Sequence, residues 1–183
     1  MPKLVALFAM AGAIATSGLA QSTKQRIVEL QPGVEYTSAI VIPAGSRLEL
    51  AKLGSESGTM AEFRGQFTLS GTYLVDTYDD ETSVMFWPDK KSRNSLPYWR
   101  GRERPSEIYL SNSTAFADAV LPPAELRMVK AGTLSGVRGR VTIVAEAFST
   151  SIECDAASYS ARFVMVVKPA RQIAAIPSED EGC

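Results

Sequence analysis

The stretch that decides the fold is residues 63–76, which read Phe-Arg-Gly-Gln-Phe-Thr-Leu-Ser-Gly-Thr-Tyr-Leu-Val-Asp. Apolar residues and glycines occupy the odd positions, and polar residues occupy the even positions except at Leu74. This period of two predicts a β-strand with one face in a core. Residues 63–75 are long for one strand. Gly65 and Gly71 therefore predict strong bending or a bulge, as a closed barrel requires.

The segments that follow predict more strands and one helix. An acidic reversal at 76–81 leads into a strand at 83–87, which Pro88 ends. The other predicted elements are a polar loop at 89–105, a strand at 107–111, a helix within 112–121 that Pro122-Pro123 ends, a short strand at 125–130, and strands at 140–148 and 159–168. The inward faces of the last two are expected to carry Val141, Ile143, Ala145 and Ala147, and Tyr159, Ala161, Phe163, Met165 and Val167.

This order of elements, all-β and mainly antiparallel, resembles the OB-fold. That fold is a five-stranded Greek-key barrel with one short helix between its third and fourth strands. The resemblance covers residues 62–168 and lies in the topology and in Gly71 within a long first strand. The segments at 86–89 and 140–167 also resemble small uncharacterised exported bacterial proteins, from which no activity carries over. An antiparallel β-sandwich is the alternative, because short strands with regular turns suit it equally well.

Four regions divide the chain. We expect a signal peptide at 1–20, an N-terminal β extension at 21–58, the barrel domain at 59–170 and an acidic C-terminal tail at 171–183. Short apolar runs at 27–30, 38–42 and 47–51, separated by Gln31-Pro32-Gly33 and Pro43-Ala44-Gly45, predict a β-hairpin in the extension. We expect it to pack on the barrel or to shield an edge strand.

The leader predicts a secreted or periplasmic protein. Lys3 gives the basic start, residues 4–15 are apolar or small, and Gly18-Leu19-Ala20 suits a cleavage site before Gln21. An uncleaved membrane anchor is the alternative, but the apolar run is shorter than the ~20 residues of a membrane-spanning helix. In an oxidising compartment the only two cysteines, Cys154 and Cys183, are expected to form a disulfide. A reactive or intermolecular thiol is the alternative.

Composition argues against most enzyme chemistry. The chain has 183 residues, 19 basic and 20 acidic side chains, and no histidine. The absence of histidine excludes Ser-His-Asp and Cys-His nucleophilic sites and histidine-ligated metals. The sequence contains no phosphate-binding loop, dinucleotide motif or nucleophile elbow, so we predict no enzyme activity, no metal and no cofactor. A minor hydrolase that uses a carboxylate pair is the alternative, because two such acids need no fixed spacing.

A basic-aromatic loop at 89–105 is the candidate binding site. It holds six basic residues against two acidic ones. Its candidate ligand-binding residues are Lys90, Lys91, Arg93, Tyr98, Trp99, Arg100, Arg102 and Arg104. Cations neutralise anionic groups while aromatic rings stack on bases or sugars, so an unknown protein or an anionic or ring-bearing polymer is the expected partner. The near-neutral net charge of −1 gives no strong nucleic-acid signature. A structural or assembly component of the cell envelope, with this loop merely solvated, is the alternative.

Overall fold

The computed structural model describes residues 24–29, 39–54, 59–79, 81–153 and 156–177. Its elements in chain order are β1 (Arg26–Glu29), β2 (Ala39–Ile42), β3 (Glu49–Gly54), β4 (Thr59–Arg64), β5 (Phe67–Tyr78), β6 (Glu81–Pro88), α1 (Lys90–Asn94), β7 (Tyr98–Trp99), β8 (Ile108–Leu110), α2 (Ser113–Val120), α3 (Pro123–Lys130), β9 (Leu134–Glu153) and β10 (Ala156–Pro177). The predicted leader and both cysteines, Cys154 and Cys183, lie outside the described residues. The structure therefore gives no support to the predicted disulfide.

Five strands form a closed ring. β5 pairs with β6, β6 with β8, β8 with β10, β10 with β9, and β9 returns to β5. Every pair is antiparallel except β8 with β10, which pair in parallel at Ser160↔Tyr109 and Ala161↔Leu110. The predicted all-β, mainly antiparallel fold with five strands in a barrel is confirmed. The closed ring distinguishes it from the sandwich alternative, which would consist of two facing open sheets.

The decisive stretch forms two strands rather than one. β4 and β5 both run antiparallel to β9, and they are separated at Gly65 and Gln66. Gly65 has a φ of +111°, and a Cβ there would lie 2.8 Å from the carbonyl oxygen of Arg47. A Cβ at Gly71 would collide with the carbonyl oxygen of Trp87. Both glycines therefore stand where the backbone must bend or pass close to a neighbouring strand.

The N-terminal extension packs into the core of the ring. β1 and β2 form the predicted antiparallel hairpin, and β2 also pairs with β7 to give a three-stranded sheet. β3 pairs with β4 and continues the ring sheet at that edge. All four residues of β2 are buried, and Ile40 and Ile42 belong to the same hydrophobic cluster as the ring strands. The extension therefore adds to the barrel core.

Two helices stand where one was predicted. α2 matches the predicted helix, but the expected strand at 125–130 is wrong, because those residues belong to α3. Pro123 begins α3, Glu125 lies in its first turn and Arg127 and Lys130 in its last, an arrangement that favours a helix. Val129 is buried in the core while most of its neighbours are solvated. Within the described ranges, no helix is long and apolar enough to cross a membrane.

β9 is longer than predicted and contains a bulge. Between the pairs Ser160↔Ser149 and Arg162↔Glu146, β9 advances three residues while β10 advances two. Ala147 takes a φ of 49° there and is exposed, which corrects the prediction that it faces inward. The extra residue reverses the alternation, so Phe148, Thr150 and Ile152 face the core after it.

β10 also departs from the predicted pattern. An extra residue between Phe163 and Met165 reverses its faces, so Met165 and Val167 are exposed although they were expected in the core. The strand then continues to Pro177, past the predicted domain boundary at residue 170. Residues 171–177 pair with β9 but are exposed on both faces, and such a strand shows no hydrophobic alternation in its sequence.

Candidate ligand-binding site

The predicted loop at 89–105 contains a short helix, α1, and a short strand, β7. Asp89 caps α1 by accepting a hydrogen bond from the Ser92 backbone N–H at 2.7 Å. Ser92 in turn accepts one through Oγ from the Ser70 N–H at 2.9 Å, which fixes the helix to β5. Lys90 and Lys91 are exposed on α1, and Arg93 is half-buried. These three cations therefore lie on a short anchored helix rather than on an extended loop.

Trp99 lies in the core and not on a binding surface. Its side chain is fully buried, and its Nε1 donates a hydrogen bond to Thr150 Oγ1 at 3.0 Å. β7, which carries it, pairs with β2. The expectation that Trp99 stacks on a ligand is therefore corrected, since no face of its ring reaches solvent.

Arg100 and Arg104 contact different partners. Arg100 pairs through Nη1 with Glu29 Oε1 at 3.2 Å, which ties β1 to the segment after β7. Arg104 donates to the Asn94 carbonyl oxygen at 3.1 Å, and its guanidinium carbon lies 4.4 Å from the centre of the Tyr98 ring. These two candidate ligand-binding arginines are therefore held at different places, and Arg100, Arg102 and Arg104 do not form one binding surface.

Arg102 and Arg104 instead line a cleft of about 550 Å³ on the outside of the ring. We call it the outer cleft; it is lined by Met85, Gly101, Arg102, Glu103, Arg104, Ser106, Glu107, Tyr109, Ala157, Ser158 and Tyr159. It lies where residues 101–107 approach β6, β8 and the start of β10. Its lining combines charged side chains of both signs with apolar and aromatic side chains from the strands.

Tyr159 holds the rim of the outer cleft in place. Its hydroxyl donates a hydrogen bond to the carbonyl oxygen of Glu103 at 3.0 Å. Burial raises the pKa of Tyr159 to about 12. The hydroxyl therefore keeps its proton, and remains a donor, throughout the physiological pH range.

Outward-facing residues of β6 and β8 extend the cleft into an aromatic surface. Met85 lies between Leu74 and Tyr109 in the strand register, and Tyr109 is 44% exposed. Trp87 donates through Nε1 to Glu107 Oε2 at 3.0 Å, and the guanidinium carbon of Arg138 lies 5.4 Å from the centre of its ring. This surface can stack on a planar or pyranose ring and hydrogen-bond to its substituents.

Met85, Trp87 and Tyr109 were not predicted as surface residues from the sequence. A signal was present, because Met85 and Trp87 alternate with the core residues Val84 and Phe86. Several large side chains that lie side by side on the solvent face of neighbouring strands, as Met85 and Tyr109 do, are typical of a contact surface. No group of three or more potential metal ligands occurs among the residues that the structure describes.

Comparison of this chain with protein-family models, with curated proteins and with solved structures finds no match. The function is therefore inferred from the geometry of the site.

Proposed function

We propose that this chain is an exported, non-enzymatic β-barrel protein that binds a ring-bearing polymer in the outer cleft. The observation that carries the proposal is the exposed ring of Tyr109 beside Met85, within a cleft that Arg102 and Arg104 also line. Tyrosine exposed in a cleft with polar groups at its rim is typical of surfaces that stack on sugars or bases.

The strand order of the ring supports the same proposal. In chain order the ring strands are β5, β6, β8, β9 and β10, and α2 and α3 lie between the third and the fourth. This order suits an OB-like barrel, as does the parallel pair of β8 and β10 that closes the ring. Such barrels bind oligosaccharides and oligonucleotides on their second and third strands. Here those strands are β6 and β8, which carry Met85 and Tyr109. Export rests on the predicted leader, and an N-terminus at or near Gln21 in the secreted protein would support it.

Binding of soluble polymers to Tyr109→Ala tests the proposal. The probes are neutral dextran and acidic polygalacturonate, measured by affinity electrophoresis of the mature protein. Because one ring stacked on an aromatic side chain contributes roughly 1–3 kcal/mol, the variant should bind at least about fivefold more weakly, with an unchanged Tm. Tyr78→Ala is the matched control, since Tyr78 is 74% exposed at the end of β5.

The proposal fails if the two variants bind alike. If the parent protein binds neither polymer, a structural or assembly role in the cell envelope becomes the better interpretation.

A hydrolase that uses a carboxylate pair is the second candidate. One observation favours it: Glu103 and Glu107 line the same cleft. Glu107 already accepts the Trp87 N–H, so its carboxylate is partly engaged. Release of reducing ends from polygalacturonate, abolished by Glu103→Gln, would favour the hydrolase. Binding without such release favours the proposed binding protein.

A further inference from the structure

Four cationic side chains occupy the outer surface of β9 and β10. They are Arg138, Arg140, Lys168 and Arg171, and we call them the cationic face. Arg140 and Arg171 are direct cross-strand partners, and Lys168 is the partner of Thr142 on the same surface. All four are exposed.

This arrangement brings like charges together. Like charges directly opposite on neighbouring strands repel each other and destabilise the pair. Across the described parts of the chain, none of the four has a carboxylate ion-pair partner, and the guanidinium of Arg138 lies over the Trp87 ring. The charges of the cationic face are therefore left to interact with groups from outside the protein.

A second cleft of about 270 Å³ adjoins the cationic face. It is lined by Ser70, Gly71, Asp89, Arg140, Val141, Thr142, Lys168 and Pro169. The hydroxyls of Ser70 and Thr142 share one hydrogen bond at 2.9 Å, so one of their two protons can be donated outward. Asp89, the one carboxylate among these lining residues, accepts the Ser92 N–H. Two cations and a hydroxyl donor suit an anionic group that also carries hydroxyls.

The spacing of the cations favours a polymer over a single ion. Arg138 and Arg140 are two residues apart on one strand, which separates their Cα atoms by about 6.6 Å. Arg140 and Arg171 face each other across about 5 Å. A single anion would contact two of the four cations, whereas an extended chain with repeated charges can contact all of them.

We infer that the polymer bound by this protein is an acidic polysaccharide whose anionic groups lie on the cationic face. The inference rests on the proposed function, because Arg138 over Trp87 joins the cationic face to the aromatic surface of the outer cleft. A nucleic acid suits the site less well. Glu103 and Glu107 in the outer cleft can accept hydrogen bonds from the free hydroxyls on the rings of a polysaccharide, whereas a deoxyribose within a DNA chain has no hydroxyl to donate.

The test uses the mature protein with polygalacturonate, neutral dextran and oligo-dT as probes. Arg140→Gln combined with Arg171→Gln should weaken polygalacturonate binding about tenfold and flatten its salt dependence, because fewer counterions are released. The Tm should stay equal or rise, since a repulsive pair is removed. Arg26→Gln combined with Arg64→Gln is the control of equal charge, on the exposed positions of β1 and β4.

Three results would overturn the inference: dextran bound as tightly as polygalacturonate, oligo-dT bound more tightly than either, or equal binding by the two double variants. Tyr109→Ala separates this inference from the proposed function. If Tyr109→Ala loses binding and the Arg140/Arg171 variant does not, the role of the cationic face is refuted and the proposed function of the outer cleft is retained. Loss only in the Arg140/Arg171 variant supports the cationic face and refutes the outer cleft.

Discussion

At the scale of single residues, Thr150 decides the position of Trp99. Thr150 is 2% exposed, and its hydroxyl is the acceptor for the buried indole N–H. A buried donor without an acceptor is costly, so this pair fixes the indole ring inside the core. The basic-aromatic segment is thereby fastened to β9 through one of its two aromatic side chains.

Replacing Thr150 by valine keeps the side-chain shape but removes the acceptor. We expect Thr150→Val to lower the free energy of unfolding by about 1–3 kcal/mol, because the indole N–H stays buried without a partner. Thr150→Ser is the control, since it keeps the acceptor and loses one methyl group, about 0.8 kcal/mol. Urea unfolding measures both, and equal losses would contradict the role given to the hydrogen bond.

At the scale of elements, the bulge in β9 determines which residues enter the core. Before it, Val141, Ile143 and Ala145 face inward; after it, the even-numbered residues do. The change of phase depends on Ala147 in the left-handed region, which is unfavourable for alanine. A regular strand would instead bury Ala147 and Ser149 and expose Phe148.

Substitutions at Ala147 should separate conformational strain from strand propensity. Ala147→Val is expected to destabilise the protein by about 1–2 kcal/mol, because a β-branched side chain is disfavoured at positive φ. Ala147→Gly should leave the Tm unchanged or raise it. Ala174→Val, at an exposed position of β10, is the control and should cost little, since valine favours strands. A harmless Ala147→Val would show that the bulge is absent in solution.

At the scale of the whole molecule, a short seam closes the ring. β8 and β10 share only two residue pairs, and Asn112 lengthens the seam with its side chain. Its Nδ2 donates to the Phe163 carbonyl oxygen at 2.8 Å, and its Oδ1 accepts from the Phe163 N–H at 2.8 Å. The amide therefore imitates one more strand residue at the point where β8 has ended.

Asn112→Ala should weaken ring closure by removing both hydrogen bonds. The expected loss is about 1–3 kcal/mol, since each bond contributes roughly 0.5–1.5 kcal/mol. Asn112→Asp keeps the acceptor, but only its protonated carboxyl can donate to the Phe163 carbonyl oxygen, so its stability relative to the parent should fall as the pH rises through the pKa of that carboxyl. Amide hydrogen exchange at Phe163 reports on the seam. Protection unchanged in Asn112→Ala would contradict this account.

The sequence by itself determined some of the local elements of this protein, but not α1, β7, α3 or the full lengths of β9 and β10. Alternation over 63–75 specified a core strand, Pro122 and Pro123 ended a helix, and Gly65 and Gly71 marked the places where strands bend. These features follow from backbone sterics and from burial of one strand face, both of which act between near neighbours in the chain. A bulge depends on how a strand pairs with its partner, which the local sequence does not show. Ala147, Met165 and Val167 were therefore assigned to the wrong face.

Only the tertiary structure decided the candidate sites. The outer cleft joins β6, β8, β10 and residues 101–107, and the cationic face joins Arg140 to Arg171. The residues of each site are far apart in the chain, and strand register and ring closure bring them together. Burial of Trp99 likewise depends on Thr150, 51 residues away. Hydrophobic alternation in the sequence predicts which face of a strand is buried. Which strands pair with it depends on packing across the whole core.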